Sequence, residues 1–486
     1  MIDNLSDFFT QGWMYTVLMC IYAATVLSVV AVILSENRNP VKSLAWVTIL
    51  LLLPLVGLAL YLFFGRSIKN TRMISRRNRR RLRRRERLCH SDPRKLGLSH
   101  ASLSQINLAR SLTGAQFYVG NSIETFVDGA SKFDSFMADL RSARRSINMQ
   151  YYIFEDDRLG SSVADILIAK AAEGVTVRVI YDHVGSFRVS NNFFRRLKAA
   201  GIATHPFFKV TFPQFGTRIN WRNHRKICVI DGSIGYIGGM NVADRYVDGG
   251  RFPRWRDTHL RIEGPVVAAL LYSFVVDWQF MGEGLIEDSV AEPAVLSQRP
   301  GAISGVGAQL LTSGPMSQWS NVAFAFHKAI AMAKRRVFIQ TPYFLPTEGL
   351  LKALQTAALS HVDVRIMMPR RSDSAMLTRA SASYVAECLR AGIKIYLYDA
   401  GMLHAKTIII DDEMVSVGST NFDFRSFEYN FEANIFLYSE EFAASQIEIF
   451  RNDIRDCTRV TPSQWRRRPL KFKVAESVVR LLSPIL

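Results

Sequence analysis

Apolar positions follow two regimes along this chain. Residues 14–34 carry no charge and are relieved only by Tyr, Thr, Ser and Cys; residues 43–64 form a second uncharged run, interrupted by Pro54 and Gly57. A helix of about 20 residues crosses a bilayer, and a proline kink is tolerated there. The polar stretch 35–42 between the runs reads as a tight turn, so residues 1–65 are expected to form a transmembrane helical hairpin. Trp13, Trp46 and Tyr61 would be its interface anchors. A cleaved signal peptide is disfavoured, because no basic segment precedes the first run and a second follows at once.

Further on, short apolar runs alternate with amphipathic stretches. Residues 147–154 and 175–181 read as buried strands; residues 134–146, 161–173 and 193–200 read as helices, the last stopping at Gly201. This alternation predicts an α/β layered unit over 111–282. Residues 283–307, with Pro293 and Pro300, lack periodicity and read as a linker. The same plan then recurs over 308–465. Residues 337–344 align with 147–154, setting Gln340 on Gln150; 350–358 align with the 161–173 helix, 362–368 with 175–181, and 389–393 with 198–202. The first unit has an aromatic and basic insertion over 207–221 that either forms a substrate lip or is an ordinary surface loop. The tail, 466–486, places Phe472, Ala475, Val478, Val479 and Leu482 near helical spacing. It is expected either to lie in a membrane interface or to dock on the body, with the membrane favoured.

Charge sharpens the picture between these regions. The net charge is +19, and residues 66–87 supply +11 of it through twelve Lys and Arg against one Glu. The 66–110 linker is therefore a basic juxtamembrane segment suited to anionic headgroups, at about 1 kcal/mol per basic residue near the surface. A nucleic-acid role is disfavoured, since the run abuts a membrane span. The positive-inside rule places this side, and the body that follows, in the cytoplasm. The five cysteines are scattered without Cys-x2-Cys spacing, which argues against a zinc site or a disulfide framework and fits a reducing compartment.

The chemistry lies in a duplicated motif, H-x-K-x4-D-x6-G-[GS]-x-N. Its first copy is His224, Lys226, Asp231, Gly238, Gly239, Asn241; its second is His404, Lys406, Asp411, Gly418, Ser419, Asn421. Residues 227–230 and 407–410 read as buried strands, and Asp231-Gly232 as a hairpin turn. Positions i and i+2 share a face of an extended chain, so each His projects with its Lys. An imidazole beside a fixed ammonium suits a phosphate, one group attacking and the other holding charge. Asn241, Asn421 and Ser419 could donate to phosphate oxygens. Asp231 and Asp411, at hairpin ends, brace the motif. Downstream of each copy stands an acid, Asp257 and Glu432, suited to fixing a histidine's tautomer. Glu155, Asp156 and Asp157 read as a loop, and no carboxylate cluster suggests a metal. Trp255 and Cys228 read as packing residues.

This duplicated motif resembles the mark of the phospholipase D superfamily. The second apolar run, with Asn39-Pro40, Trp46, Pro54, Gly57, Tyr61 and Phe64-Gly65, resembles the N-terminal segment of bacterial cardiolipin synthases, and the likeness extends over essentially the whole chain. The resemblance implies two phospholipase D-like α/β repeats forming one pseudo-twofold body with a single active site. It also implies an enzyme of the bacterial inner membrane that needs no cofactor or metal and takes phosphatidylglycerol as its lipid; a homo-oligomer is compatible. The motif residues His224, Lys226, Asp231, His404, Lys406 and Asp411 would be its catalytic set, with a phosphohistidine intermediate on His224 and His404 as acid and base. The expected reaction passes a phosphatidyl group between two phosphatidylglycerols. Alternatives are hydrolysis by water, phosphatidylethanolamine as donor, a tethered nuclease, and a non-catalytic scaffold on anionic lipid.

Overall fold

The structure is a computed structural model that describes residues 2–35, 40–61, 69, 73–86, 91–210, 220–284, 286, 296–297 and 299–481. The chain forms two compact units: residues 1–67 with 210–220, and residues 68–209 with 221–486. Parts of the expected inter-span turn, basic segment, insertion, linker and tail lie outside the described residues.

In the first unit the helix Ile2–Ser35 is long, and its Gly12–Ala31 stretch is apolar enough by length and composition to cross a membrane. Among the described residues no second helix meets that standard. The second apolar run is divided into Pro40–Leu52 and Pro54–Leu60. Pro54 lacks an N–H and its ring crowds the preceding turn, so Leu53 leaves helical geometry (φ −132°, ψ 68°). Gly57 permits the bend, since a Cβ there would sit 2.8 Å from the Ile49 carbonyl oxygen. The bend packs Tyr61 edge-on against Trp46 at 5.5 Å, beside buried Ile33 and Leu50. Tyr61 is thus buried in the packing of this unit, and Trp13 is exposed.

The second unit is built on strands whose order in space repeats. The first half supplies β1 (Tyr118–Phe126), β2 (Ser146–Tyr151), β3 (Thr176–Asp182), β4 (Ala203–Phe207), β5 (Ile227–Ile230), β6 (Ile234–Gly238), β7 (Trp255–Arg256) and β8 (His259–Glu263). The second supplies β9 (Ile303–Ser313), β10 (Arg336–Gln340), β11 (Phe344–Leu345), β12 (Asp363–Pro369), β13 (Lys394–Tyr398), β14 (Met402–Leu403), β15 (Thr407–Ile410), β16 (Met414–Gly418), β17 (Phe422–Asp423), β18 (Glu432–Tyr438) and β19 (Cys457–Arg459). Fifteen of them form one sheet, β19-β13-β12-β10-β15-β16-β18-β9-β1-β8-β6-β5-β2-β3-β4. Counted outward from the central antiparallel β9–β1 pair, both directions meet equivalent strands in the same order, with β19 as an added edge. The register repeats too: Gln150 pairs with Ile227, and Gln340 with Thr407.

β5, β15 and β18 are buried along their whole length, because helices cover both sheet faces, as alternating βα units require. One core takes the helices His100–Thr113, Gly129–Ser142, Arg158–Ala172, Asn321–Met332, Glu348–Leu359 and Ala375–Arg390. The other takes Val267–Phe280 and Glu440–Ile454. The basic run folds as a helix, Arg76–Glu86, anchored by buried Ile74 and Leu82 in that second core. The tail helix Leu470–Leu481 packs on Ala375–Arg390, where Arg480 meets Glu387 at 2.5 Å. Leu470, Val474, Val478 and Leu481 remain exposed along its outer side.

Candidate active site

Each motif begins as extended chain and runs into a hairpin, β5–β6 or β15–β16. Asp231 and Asp411 turn these hairpins at φ 52° in both copies, a left-handed conformation that Asp tolerates better than most residues. The Asp231 carboxylate accepts from the backbone N–H groups of Arg144, Arg145 and Ser146 at 2.7–2.9 Å. Asp411 accepts from Lys334, Arg335 and Arg336 at 2.7–3.1 Å. Both stand at the opposite end of their strand from the histidine and tie the hairpin to the start of β2 or β10.

At the histidine end the two halves interlock. The His224 N–H donates to the Phe431 carbonyl and the Phe431 N–H to Arg222, at 2.9 and 2.8 Å. Symmetrically, β14 pairs with β7, and His404 N–H donates to the Arg256 carbonyl at 2.7 Å. Each histidine is therefore laid against the strand that carries the other half's acid. His224 Nδ1 lies 3.0 and 3.1 Å from the two oxygens of Glu432, and His404 Nδ1 lies 2.6 Å from Asp257 Oδ2. The carboxylate partners assign the proton to Nδ1 in each ring and leave both Nε2 atoms available for chemistry. All four side chains are buried. The sequence paired one acid with each motif; the structure crosses the pairs.

The lysines point with their histidines, but each also folds back on its own motif. Lys226 Nζ donates to the His224 carbonyl at 2.6 Å; Lys406 Nζ bonds the His404 carbonyl and lies 2.8 Å from His404 Nδ1. Burial pulls the His224 pKa down to about 4, against the opposing pull of Glu432. Burial, then Lys406, lowers His404. Burial brings Lys406 to about 8 and takes Lys226 well below its usual value. Burial alone would raise the acids, but Lys406 and His404 draw Asp257 down, and His224 and its hydrogen bond draw Glu432 down. Aromatic rings wall the site: Tyr152 stands 5.0 Å from His224, and Trp255 and Tyr246 stand 5.3 and 5.9 Å from His404.

The glycines are explained by close approach. A Cβ on Gly238 or Gly418 would press within 2.5 or 2.3 Å of the neighbouring strand's backbone. One on Gly239 would lie 2.1 Å from Asp257 Oδ1. In the second copy Ser419 stands there, and its hydroxyl donates to Glu432 Oε2 while accepting the Ala433 N–H. Ser419 is therefore a support of Glu432 rather than the phosphate donor expected: its only proton is committed to the carboxylate. Asn241 is likewise engaged, accepting the Ile153 N–H at 3.1 Å and donating to the Tyr246 hydroxyl at 2.5 Å, which leaves one amide N–H. Asn421 bonds Asp423 and its Oδ1 has no partner.

A further layer was missed in the sequence. Asp277 receives Arg225 Nη1 at 2.6 Å, Gln150 Nε2 at 2.5 Å and Asn223 Nδ2 at 3.1 Å. Asp453 receives Gln340 Nε2 at 2.7 Å and Arg256 Nε at 3.0 Å. Asp277 is near the end of the apolar helix Val267–Phe280 and Asp453 near the end of the amphipathic helix Glu440–Ile454, and Arg225 and Arg256 adjoin His224 and Asp257 in sequence. Asp182 accepts the Asn223 N–H at 2.9 Å and steadies the approach to His224. The signal for Asp277 was a lone acid in the apolar helix Val267–Phe280. Glu155, Asp156 and Asp157 serve locally: Glu155 pairs with Arg245, Asp156 accepts the Ser190 N–H, and Asp157 caps Arg158–Ala172.

Residues 136–266 and 326–454 match the cardiolipin synthase PLD-like domain, and residues 23–66 match the phospholipase D-nuclease N-terminal family. The chain belongs to the bacterial cardiolipin synthase family, in the phospholipase D superfamily. It is 38% identical over 480 residues to the major cardiolipin synthase ClsA of Bacillus subtilis strain 168, covering 96% of this chain and 98% of that protein. Identity to a cardiolipin synthase of Listeria monocytogenes serotype 4a strain HCC23 is 37% over 489 residues, covering 98% and 100%. A phosphatidylserine synthase of Haemophilus influenzae Rd KW20 shares the fold at TM-score 0.60 and 13% identity, over 80% of this chain and all of that one. Membership of the cardiolipin synthases makes the chain a phosphatidyltransferase, and its apolar N-terminal helix is consistent with membrane association.

Proposed function

We propose that the enzyme moves a phosphatidyl group from one phosphatidylglycerol to the glycerol hydroxyl of another, yielding cardiolipin and glycerol. The observation that carries this reading is the crossed pair of carboxylate-held imidazoles, each with Nε2 free, beside two buried lysines. His224 Nε2 attacks phosphorus; the N–P bond forms as the P–O bond to glycerol breaks, and His404 gives its proton to the departing oxygen. His404 then takes the proton of the second lipid's hydroxyl, whose oxygen bonds phosphorus as the N–P bond breaks. An anionic diester lying between the rings favours the His404 proton that burial disfavours. Lys226 and Lys406 neutralise the phosphoryl oxygens, with the Asn241 and Asn421 amides beside them. His224 is the nucleophile by resemblance to the superfamily, since the two halves are close to symmetric. A neutral His224 with a pKa of about 4 supports that role.

The second apolar run, kinked at Pro54, completes a membrane hairpin with the first in this reading, and the body lies on the cytoplasmic side. A bilayer anchor lets both lipids be drawn from a concentrated pool. Labelling of single cysteines on the body only from outside the cell would reverse this topology. The chemistry is tested by supplying the purified enzyme with micellar phosphatidylglycerol alone and reading products by mass. Cardiolipin with equimolar glycerol, lost in His224→Ala and His404→Ala, is expected. Phosphatidic acid and glycerol would mean hydrolysis, and no product without phosphatidylethanolamine would mean a different donor.

A further inference from the structure

Behind His224, on the side to which Arg225 turns, the second unit holds a cavity of about 620 Å³, within the range of small-molecule sites. Its polar wall carries Arg79, Arg83, Arg110 and Arg225. Two of these are engaged: Arg225 by Asp277, and Arg83 by the Thr113 carbonyl at the end of helix His100–Thr113. Arg79 and Arg110 reach the cavity with no acidic partner among the described residues. They come from different elements, the docked basic helix Arg76–Glu86 and helix His100–Thr113. Ser273 and Ser313, which also line it and are 3% and 2% exposed, have hydroxyls without any hydrogen-bond partner among the described residues. Buried hydroxyls are rarely left unsatisfied, so their lack of partners marks a place for a polar ligand. Thr312, Gln318 and Asn321 add further polar groups, and Met73, Leu112, Met316 and Trp319 supply an apolar portion; Trp319 is 47% exposed and packs on the exposed Phe324.

We propose that this cavity is a second, non-reacting site for a phosphate monoanion or dianion, and that its occupant is the headgroup of an anionic phospholipid. Arg79 and Arg110 pair with the phosphate, Ser273 and Ser313 bond the polar headgroup, and the Met316–Trp319 side takes the start of the acyl chains. The apolar side chains among the polar ones, Met316 and the exposed Trp319 above all, favour a lipid over free phosphate. The basic run thereby acquires a specific role, because Ile74 and Leu82 dock it so that Arg79 and Arg83, one turn apart, face the cavity. Arg225 is shared between this cavity and the network under His224. An occupant would therefore bear on the Asp277–Arg225 pair and change the setting of the nucleophile. The proposal rests on the reading of His224 and His404 only for that last effect.

The test is binding stoichiometry, which needs no turnover. Full-length enzyme carrying His224→Ala and His404→Ala is titrated calorimetrically in detergent with dihexanoyl phosphatidylglycerol, and separately with inorganic phosphate. Arg79→Gln/Arg110→Gln is expected to bind one lipid per chain fewer than the parent. Ser273→Phe, which fills the cavity from helix Val267–Phe280, should remove the same event, so a folding defect in one variant does not decide the result. Far-ultraviolet dichroism and thermal melting check the fold of each. Inorganic phosphate binding with equal strength, and lost in the same variants, would keep the anion site but make free phosphate the ligand, overturning the lipid assignment. A lipid stoichiometry unchanged by both variants overturns the site. Failure of the wild type to make cardiolipin would overturn the proposed reaction and leave this stoichiometry readable.

Discussion

His404 Nδ1 lies 2.6 Å from Oδ2 of Asp257, a residue 147 positions earlier in the chain and in the other repeat. The pairing is crossed because β7 and β14 bind in parallel, Met402 opposite Trp255 and Leu403 opposite Arg256, while Asn223 bridges to Phe431. Neither repeat alone can orient its own histidine. In the proposed mechanism the active site is therefore a property of the assembled pair, and a substitution in one half acts on the other half's step.

Asp257→Asn follows from this. The amide no longer enforces the Nδ1–H tautomer on His404, so kcat should fall by about 10²–10⁴-fold with little change in KM. The defect lies in proton transfer. A phosphatidyl ester with a nitrophenol leaving group needs no acid in the first step, and should still release a burst of nitrophenol equal to the enzyme. In Glu432→Gln, which acts on His224, that burst should vanish. A burst retained in both variants would mean that the pairs are not functionally crossed.

Acid should destabilise the fold through His224. Its folded pKa of about 4 lies below its unfolded value near 6.5, so the unfolded chain binds a proton that the folded chain refuses. Stability is then full above about pH 6.5 and is lost as pH falls towards 4, by up to about 1.4 kcal/mol per unit. Glu432, whose pKa is drawn down, adds to the loss below its unfolded value. Denaturant unfolding at stepped pH should give a shallower slope between 6.5 and 4 in His224→Gln. An identical slope would show that His224 is protonated in the folded enzyme.

Alkaline pH should act through Lys406, whose burial sets its pKa at about 8. kcat/KM reports the free enzyme, so it should fall above about pH 8 as the ammonium proposed to hold the phosphoryl oxygens is lost. An arginine cannot lose its charge in this range. Lys406→Arg, though slower, should have no limb near 8; a limb that stays in place belongs to another group.

Much of the fold was legible because both repeats carry the same apolar runs at matched spacing. Aligning Gln340 on Gln150 predicts the register that the β10–β15 and β2–β5 pairs adopt. The histidines and lysines were legible because i and i+2 share a face whatever the tertiary context. The crossing was not, since a strand's period does not say which distant loop lies against it. Ser419 was read by its chemistry as a phosphate donor, but its neighbour across the strand, Glu432, claims the proton. Asp277 and Asp453 needed three dimensions, because their partners arrive from β2, β10 and the other half. The basic run hid its anchors: among so many arginines, Leu82 alone tells where the helix docks. Pro54 was visible as an interruption, yet only the structure shows that it turns Tyr61 back onto Trp46.

Gly239 offers the sharpest test of the Asp257 position. A methyl group at this residue would stand 2.1 Å from Asp257 Oδ1, well inside contact, and the carboxylate is the atom group freest to yield. Gly239→Ala should therefore displace Asp257 from His404 and lower kcat by at least 10²-fold. The hairpin itself is held elsewhere, by Asp231 on the Arg144–Ser146 N–H groups. Asp231→Ala should do the reverse, costing about 1–3 kcal/mol of stability by releasing those donors while kcat of the folded fraction stays within a few-fold. Thermal melting and turnover on the two variants separate the effects. If Gly239→Ala lost stability and activity together, the glycine would be serving the backbone, and the space it leaves for Asp257 would be incidental.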